Sequence, residues 1–190
     1  MSVDAAFEAT PREWFLPPGE RDRADHDGPI PIGHGATNSQ PRTVAAMLGL
    51  LDVQPGQSVL DVGSGSGWTT ALLAWLVGPT GRVLGLELEP DLVRFGRDSL
   101  ARTHRPWARI EPASDTLGRP AQPDPADGGD VVAYDRILVS AAATALPDTL
   151  LEQLTPTGVL VVPVRSTLLR ASLPGPRITR HGTYRFVPLR

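Results

Sequence analysis

The stretch SVLDVGSGSGWTTALLAWL, Ser58 to Leu76, decides the fold. Val59, Leu60 and Val62 form a short apolar run. Three glycines follow at 63, 65 and 67, and then an apolar-rich run through Leu76. The pattern predicts a strand, a tight turn and a helix. Glycines let a turn adopt positive φ and bring its backbone close to a ligand, which then meets the N-terminus of the helix.

The glycine spacing discriminates between ligands. A dinucleotide fingerprint is G-x-G-x-x-G. Counted from Gly63 it requires glycine at 68, where the chain has Trp68. The spacing is instead G-x-G-x-G, preceded by Asp61, and resembles the first motif of class I S-adenosylmethionine-dependent methyltransferases. Glu87 ends the next apolar run, twenty residues past Gly67. A carboxylate at such a strand end can accept hydrogen bonds from two ribose hydroxyls. A structural turn in another α/β domain and a nicotinamide-binding oxidoreductase are the competing readings. The order strand, turn, helix, strand, acid favours the methyltransferase.

Outward from this stretch, strands are expected at 58–62, 82–87, 108–111, 135–140 and 158–164. Helices are expected at 67–77, 90–103 and 147–154, with Val44, Met47, Leu48 and Leu51 marking one more at 41–52. This alternation implies βαβ units: an α/β, doubly wound, mainly parallel sheet of seven strands with helices on both faces. The tail has strand-like pieces at 167–173, 177–180 and 183–187, the last two separated at Gly182, and predicts an antiparallel edge. Prolines at 11, 17, 18, 29 and 31 make residues 1–40 irregular, apart from one helical turn at 5–9. The run GRPAQPDPADGGD, 118–130, reads as a surface loop.

Composition excludes several function classes. With 18 basic and 21 acidic residues in 190, the net charge of −3 leaves no basic stripe for nucleic acid. No apolar run spans a bilayer, and the N-terminus lacks a signal-like apolar core, so a cytoplasmic protein is expected. The absence of cysteine excludes disulfides and thiolate chemistry. The four histidines lack metal-ligand spacing, so no metal is expected. Ser140 is not in a G-x-S-x-G elbow, which disfavours a serine hydrolase.

Beyond the glycine motif, PIPIGHGATNSQPRTVAAML (29–48) resembles the substrate segment of protein-L-isoaspartate O-methyltransferases, close to L-P-I-G-x-G-Q-T-I-S-x-P. Pro31, Ile32, Gly33, Gly35, Thr37, Ser39 and Pro41 fit it. Pro11-Arg12, Phe15 and Pro17 resemble that family's P-R-x-x-F-x-P. Residues 134–143, 150–163 and 186–189 resemble its later motifs. The chain has Ala36 in place of the family's glutamine, Asn38 in place of an apolar residue, and RADHDGP where an Ala-Tyr pair is usual.

The resemblance implies methyl transfer from S-adenosylmethionine to the α-carboxylate of isoaspartyl residues in a protein or peptide, leaving S-adenosylhomocysteine. It implies one domain acting as a monomer: a substrate-side segment (1–40), a cofactor-binding core (41–165) and C-terminal strands (166–190). Cofactor contacts fall on Asp61, Gly63, Ser64, Gly65, Gly67, Glu87, Leu88 and Ser140. The adenine contact falls on Ser114, or on Asp115 if the loop shifts by one residue. Ser39 and Thr37 are the catalytic candidates. Capping of the helix that begins near Pro41 is an alternative or additional role for both. His34, Ala36 and Asn38 are placed at the substrate; His34, with no acid partner evident in sequence, reads as a loop residue at the mouth. A related carboxyl methyltransferase with another acceptor, and a cofactor-binding homologue without isoaspartyl activity, remain the alternatives.

Overall fold

The computed structural model describes residues 2–120 and 133–190. The expected loop at 118–130 lies, from residue 121 onward, outside the described residues. At the centre of the fold stands β3 (Ser58–Val62), with all five residues buried. Burial on both faces explains why its sequence is an apolar run rather than an alternation. From β3 the chain moves outward through α3 (Trp68–Val77), β4 (Arg82–Glu87), α4 (Pro90–Ala101) and β5 (Ala108–Pro112). It then returns to the other side of β3 with β6 (Tyr134–Val139), α5 (Asp148–Leu151) and β7 (Leu154–Val164). The sheet ends with β8 (Thr167–Ser172) and β9 (Arg177–Thr183), giving the order β5-β4-β3-β6-β7-β8-β9.

Strands β5 to β7 in this order are parallel, and β8 and β9 are antiparallel to their neighbours. The direction of winding reverses between β3 and β6. A crevice opens at that reversal, beyond the C-terminal ends of the strands, where open α/β sheets bind ligands.

The two faces are covered unequally. One core joins Ala6 of α1 (Val3–Glu8), Met47 and Leu51 of α2 (Pro41–Leu51), Leu72 of α3 and Leu100 of α4 to the sheet. The opposite core contains Leu60, Leu84 and Ile137, and α5 contributes Leu150. Helix α5 is only four residues, shorter than the expected 147–154. Residues from Leu154 onward pair with β6 instead, through the register Tyr134↔Leu154.

The N-terminal forty residues are more ordered than their prolines suggest. Ser2 caps α1, its hydroxyl accepting from the Ala5 amide at 3.2 Å. Two 3₁₀ turns follow at Arg12–Phe15 and Pro18–Arg23, then a small hairpin of β1 (Ile30–Gly33) and β2 (Ala36–Asn38). Pro17 precedes the second turn and Pro18 begins it, where a missing N–H costs nothing. Phe15, Leu16 and Ile30 are fully buried, so the segment is part of the core.

At the other end, the expected break at Gly182 is absent. β9 runs through Gly182 at φ +66°, and residues 184–190 form no strand of their own. They cross the end of the sheet as a strap. The Ala142 amide donates to Val187 O at 2.8 Å, and the Leu189 amide to Ala142 O at 2.9 Å.

Candidate functional site

The turn after β3 is held by the neighbouring strand. The amides of Gly63 and Ser64 both donate to Leu86 O, at 2.8 and 2.9 Å. Gly63, Gly65 and Gly67 all have positive φ. Gly67 is the most constrained: at φ +86°, a Cβ there would lie 2.8 Å from Ile110 Cδ1 and 3.1 Å from Gly96 O.

Glu87, at the end of β4 and 8% exposed, meets this turn. Its Oε2 accepts from the Gly65 amide at 2.8 Å. Its Oε1 accepts from the amides of Leu88 and Glu89, at 2.8 and 3.0 Å. Three backbone donors fix the carboxylate, while its remaining lone-pair capacity faces the crevice.

Asp61 sits beneath the turn with no exposure. Thr70 of α3 donates to its Oδ2 at 2.7 Å, while Oδ1 and the nearby buried Ser64 Oγ have no partner among the described residues. Burial pushes the Asp61 carboxyl up to about 7; the Thr70 hydrogen bond opposes the shift and the like charge of Glu87 adds to it.

The β1–β2 hairpin forms the facing wall. Ala36, Thr37, Asn38 and Ser39 border a cavity of about 420 Å³ that Gly63, Ser64, Gly65 and Glu87 border from the other side. Neither Thr37 nor Ser39 caps α2: the cap position is Gln40, with no side-chain cap bond. Among the described residues, neither hydroxyl has a hydrogen-bond partner. The Asn38 side chain, 4% exposed, accepts from Arg12 Nε at 2.7 Å and donates to Ser66 Oγ at 3.2 Å.

Leu88, Ser114, Asp115 and Ser140 complete the expected set on this cavity. Ser114 turns its hydroxyl to Thr116 O at 3.3 Å, whereas Asp115 is exposed on the cavity wall. Three expected residues do not border the cavity. Asp61 and Gly67 lie behind the turn. His34 occupies the tip of the hairpin at φ +52°, outside the cavity wall. Contrary to the sequence reading, His34 has acid partners: its Nε2 is 3.1 Å from Asp91 Oδ2 and its Nδ1 is 3.6 Å from Glu89 Oε2. Both acids come from the start of α4, more than fifty residues away in sequence.

Two features of the site are not among the residues that the sequence assigned to it. The first is Arg12 of the P-R-x-x-F-x-P stretch, whose guanidinium reaches six acceptors in two stretches of chain, 24–28 and 38–39. The second is the C-terminal strap, which brings Tyr184, Arg185 and Arg190 to the cavity. Arg190 also pairs with Glu89 at 2.7 Å. Trp68 packs beside the turn as its position suggests, donating to Thr10 O at 3.1 Å with its ring edge-on to Phe7.

A family model described as Protein-L-isoaspartate(D-aspartate) O-methyltransferase matches residues 1–174. The protein-L-isoaspartate O-methyltransferase of Methanopyrus kandleri is 42% identical over 195 residues, covering 98% of this chain and 82% of the relative. Its namesake in Aeropyrum pernix is 44% identical over 160 residues, covering 84% of this chain and 58% of the relative. Among solved structures, a Plasmodium falciparum protein of the same name, in complex with S-adenosyl-L-homocysteine, matches with a TM-score of 0.82. The two are 25% identical, and the match covers 99% of this chain and 89% of that one. With the family model spanning most of the chain and relatives above 40% identity, the chain belongs to the protein-L-isoaspartate O-methyltransferase family.

Proposed function

We propose that the chain transfers a methyl group from S-adenosylmethionine to the α-carboxylate of an L-isoaspartyl residue. The observation that carries this reading is the single cavity bounded by the glycine turn and Glu87 on one side and by Thr37 and Ser39 on the other. A nucleotide-type site and a pair of unengaged hydroxyls face each other across it.

The residues present fit the cofactor. Glu87 is pre-oriented to accept from ribose hydroxyls. The unpartnered Ser64 Oγ on the cavity wall suits a hydrogen-bond-donating group at the turn. Exposed Leu88, at 47%, offers an apolar surface to a base. Asp115 takes the exocyclic amine of adenine, because the Ser114 hydroxyl already donates to Thr116. When bound, the cofactor supplies an electrophilic methyl group on a sulfonium.

The chain's own contribution is positioning. A carboxylate with an ordinary pKa of about 4 is already ionised at neutral pH, so no general base is required. One carboxylate oxygen forms a bond to the methyl carbon as the carbon–sulfur bond breaks, and the opposite charges of the two partners cancel. Ser39, assisted by Thr37, donates a hydrogen bond to the acceptor carboxylate and aims it. Holding both reactants in this alignment is the catalytic contribution. Asn38, one of the departures from the family pattern, is engaged with Arg12 and Ser66, so it does not redefine the acceptor surface.

The acceptor is a damaged protein or peptide. Its methyl ester collapses to a succinimide, whose hydrolysis restores some normal aspartate. We assign the chain to protein repair, as a single methyltransferase domain acting as a cytoplasmic monomer. The test is a base-labile methyl ester formed on an isoaspartyl peptide. Ser39→Ala is expected to lower kcat by about two orders of magnitude, in the range for loss of an orienting contact, with S-adenosylhomocysteine affinity retained. Undiminished turnover in that variant contradicts the role given to Ser39.

A further inference from the structure

Arg12 is a buried cation with an unusually complete set of acceptors. It is 6% exposed, yet Asp27 and Arg23 are the charged groups that influence it and neither bonds to it. Its five N–H donors instead meet six oxygens. Nε donates to Asn38 Oδ1 at 2.7 Å. Nη1 donates to the carbonyls of Ala24 and His26, at 3.2 and 2.7 Å. Nη2 serves the carbonyls of Gly28, Asn38 and Ser39, at 2.8, 3.2 and 2.9 Å, so one donor is shared. The guanidinium also lies over the Trp68 ring, 5.3 Å from its centroid. Burial pulls Arg12 down to about 10, which leaves it charged at neutral pH.

This arrangement orients Asn38 in one way. Arg12 Nε is only a donor, so it must meet the amide oxygen, and the amide nitrogen is left to face Ser66 Oγ at 3.2 Å. Ser66 is 2% exposed and stands between Gly65 and Gly67 of the turn. A continuous chain of buried polar contacts therefore runs from the backbone of Ser39 through Arg12 and Asn38 to the glycine turn. An apolar side chain at position 38 cannot complete it.

We propose that Asn38 is a positioning residue. Together with Arg12 it ties the acceptor segment to Ser66, so that filling the turn with cofactor fixes the backbone that presents Ser39. The inference rests on Ser39 facing the acceptor, but the tie itself is independent of which acceptor is methylated. Its consequence is cooperativity. The cofactor-filled protein holds residues 36–39 in the reactive arrangement, and the empty protein holds them less firmly.

Hydrogen exchange on the full chain, with and without saturating S-adenosylhomocysteine, reads this directly. In the parent protein, exchange of the amides of residues 36–39 is expected to slow about tenfold or more on binding, along with those of 63–67. In Asn38→Ile, the slowing at 63–67 persists, while that at 36–39 falls to less than twofold. Ser66→Ala removes only a hydroxyl and serves if Asn38→Ile does not fold; it gives the same loss at 36–39. The double variant adds nothing further, as expected for two ends of one contact. Methyl-transfer kinetics provide a second readout: Asn38→Ile lowers kcat about tenfold, with S-adenosylhomocysteine affinity within threefold of the parent. The proposal is overturned by full protection of 36–39 in either variant, by additive effects of the two substitutions, or by no protection there in the parent. Absence of transfer to isoaspartyl peptides in the parent protein contradicts the proposed function but leaves the exchange result standing.

Discussion

Two carboxylates beside one turn are held by different partners. Glu87 accepts from three backbone amides, whereas Asp61 is fully buried and accepts from the Thr70 hydroxyl, and burial raises its carboxyl to about 7. Glu87→Gln exchanges an acceptor oxygen for a donor facing backbone N–H groups. Loss of such hydrogen bonds is worth about 1–3 kcal/mol, so calorimetry should show S-adenosylhomocysteine bound roughly ten- to hundredfold more weakly. Unchanged affinity removes Glu87 from the cofactor site. Asp61 holds its proton more tightly in the folded chain than in the unfolded one. Its effect on stability is therefore absent below about pH 4, grows as a destabilisation as pH rises toward about 7, and is constant above that. Between pH 5 and 7.5, the unliganded parent should lose about 2–3 kcal/mol relative to Asp61→Asn in urea unfolding. A pH-independent difference between the two proteins would falsify the shift. Both acids were legible in the sequence from their places beside the glycine motif. Their more distant partners were not, because the Thr70 hydroxyl and the Gly65 amide come from 9 and 22 positions away.

The elements differ in how far local pattern determines them. β3, β4, α3 and α4 were legible to within two residues, since each is an apolar run or helical pattern bounded by its own turn or start signal, such as Pro90 at the first turn of α4. The hairpin of β1 and β2 was not. Its second strand is three residues long, and it is fastened by an arginine 26 positions away from Asn38. Arg12→Lys offers a single point charge in place of a planar fork and leaves buried carbonyls unpaired. It is expected to cost about 2–4 kcal/mol of stability, measured by chemical denaturation. A loss below about 1 kcal/mol, the scale of an exposed ion pair, rules out the hub role. The glycine turn is constrained in a different way. Gly67→Ala introduces a Cβ at positive φ against Ile110 and the Gly96 carbonyl. The backbone term alone is about 1–2 kcal/mol, so a larger loss of stability is expected, together with weakened cofactor binding. Wild-type stability in Gly67→Ala contradicts the close packing of α3 on α4.

At the scale of the whole molecule, the site exists because the order of strands reverses between β3 and β6. The reversal leaves a crevice into which the turn, Glu87 and Ser140 all open. Fold class followed from the alternation of elements, and the placement of the cofactor side followed from fold class. The acceptor side required the N-terminal segment and the C-terminal strap to arrive from opposite ends of the chain, and no local pattern encodes that meeting. The central claim is that this meeting creates an isoaspartyl carboxylate methyltransferase. Labelled S-adenosylmethionine, offered with two peptides identical except for isoaspartate or normal aspartate at one position, tests it most directly. Label is expected on the isoaspartyl peptide alone, in base-labile form. Equal labelling of both peptides, or of neither in a protein that binds S-adenosylhomocysteine, contradicts it.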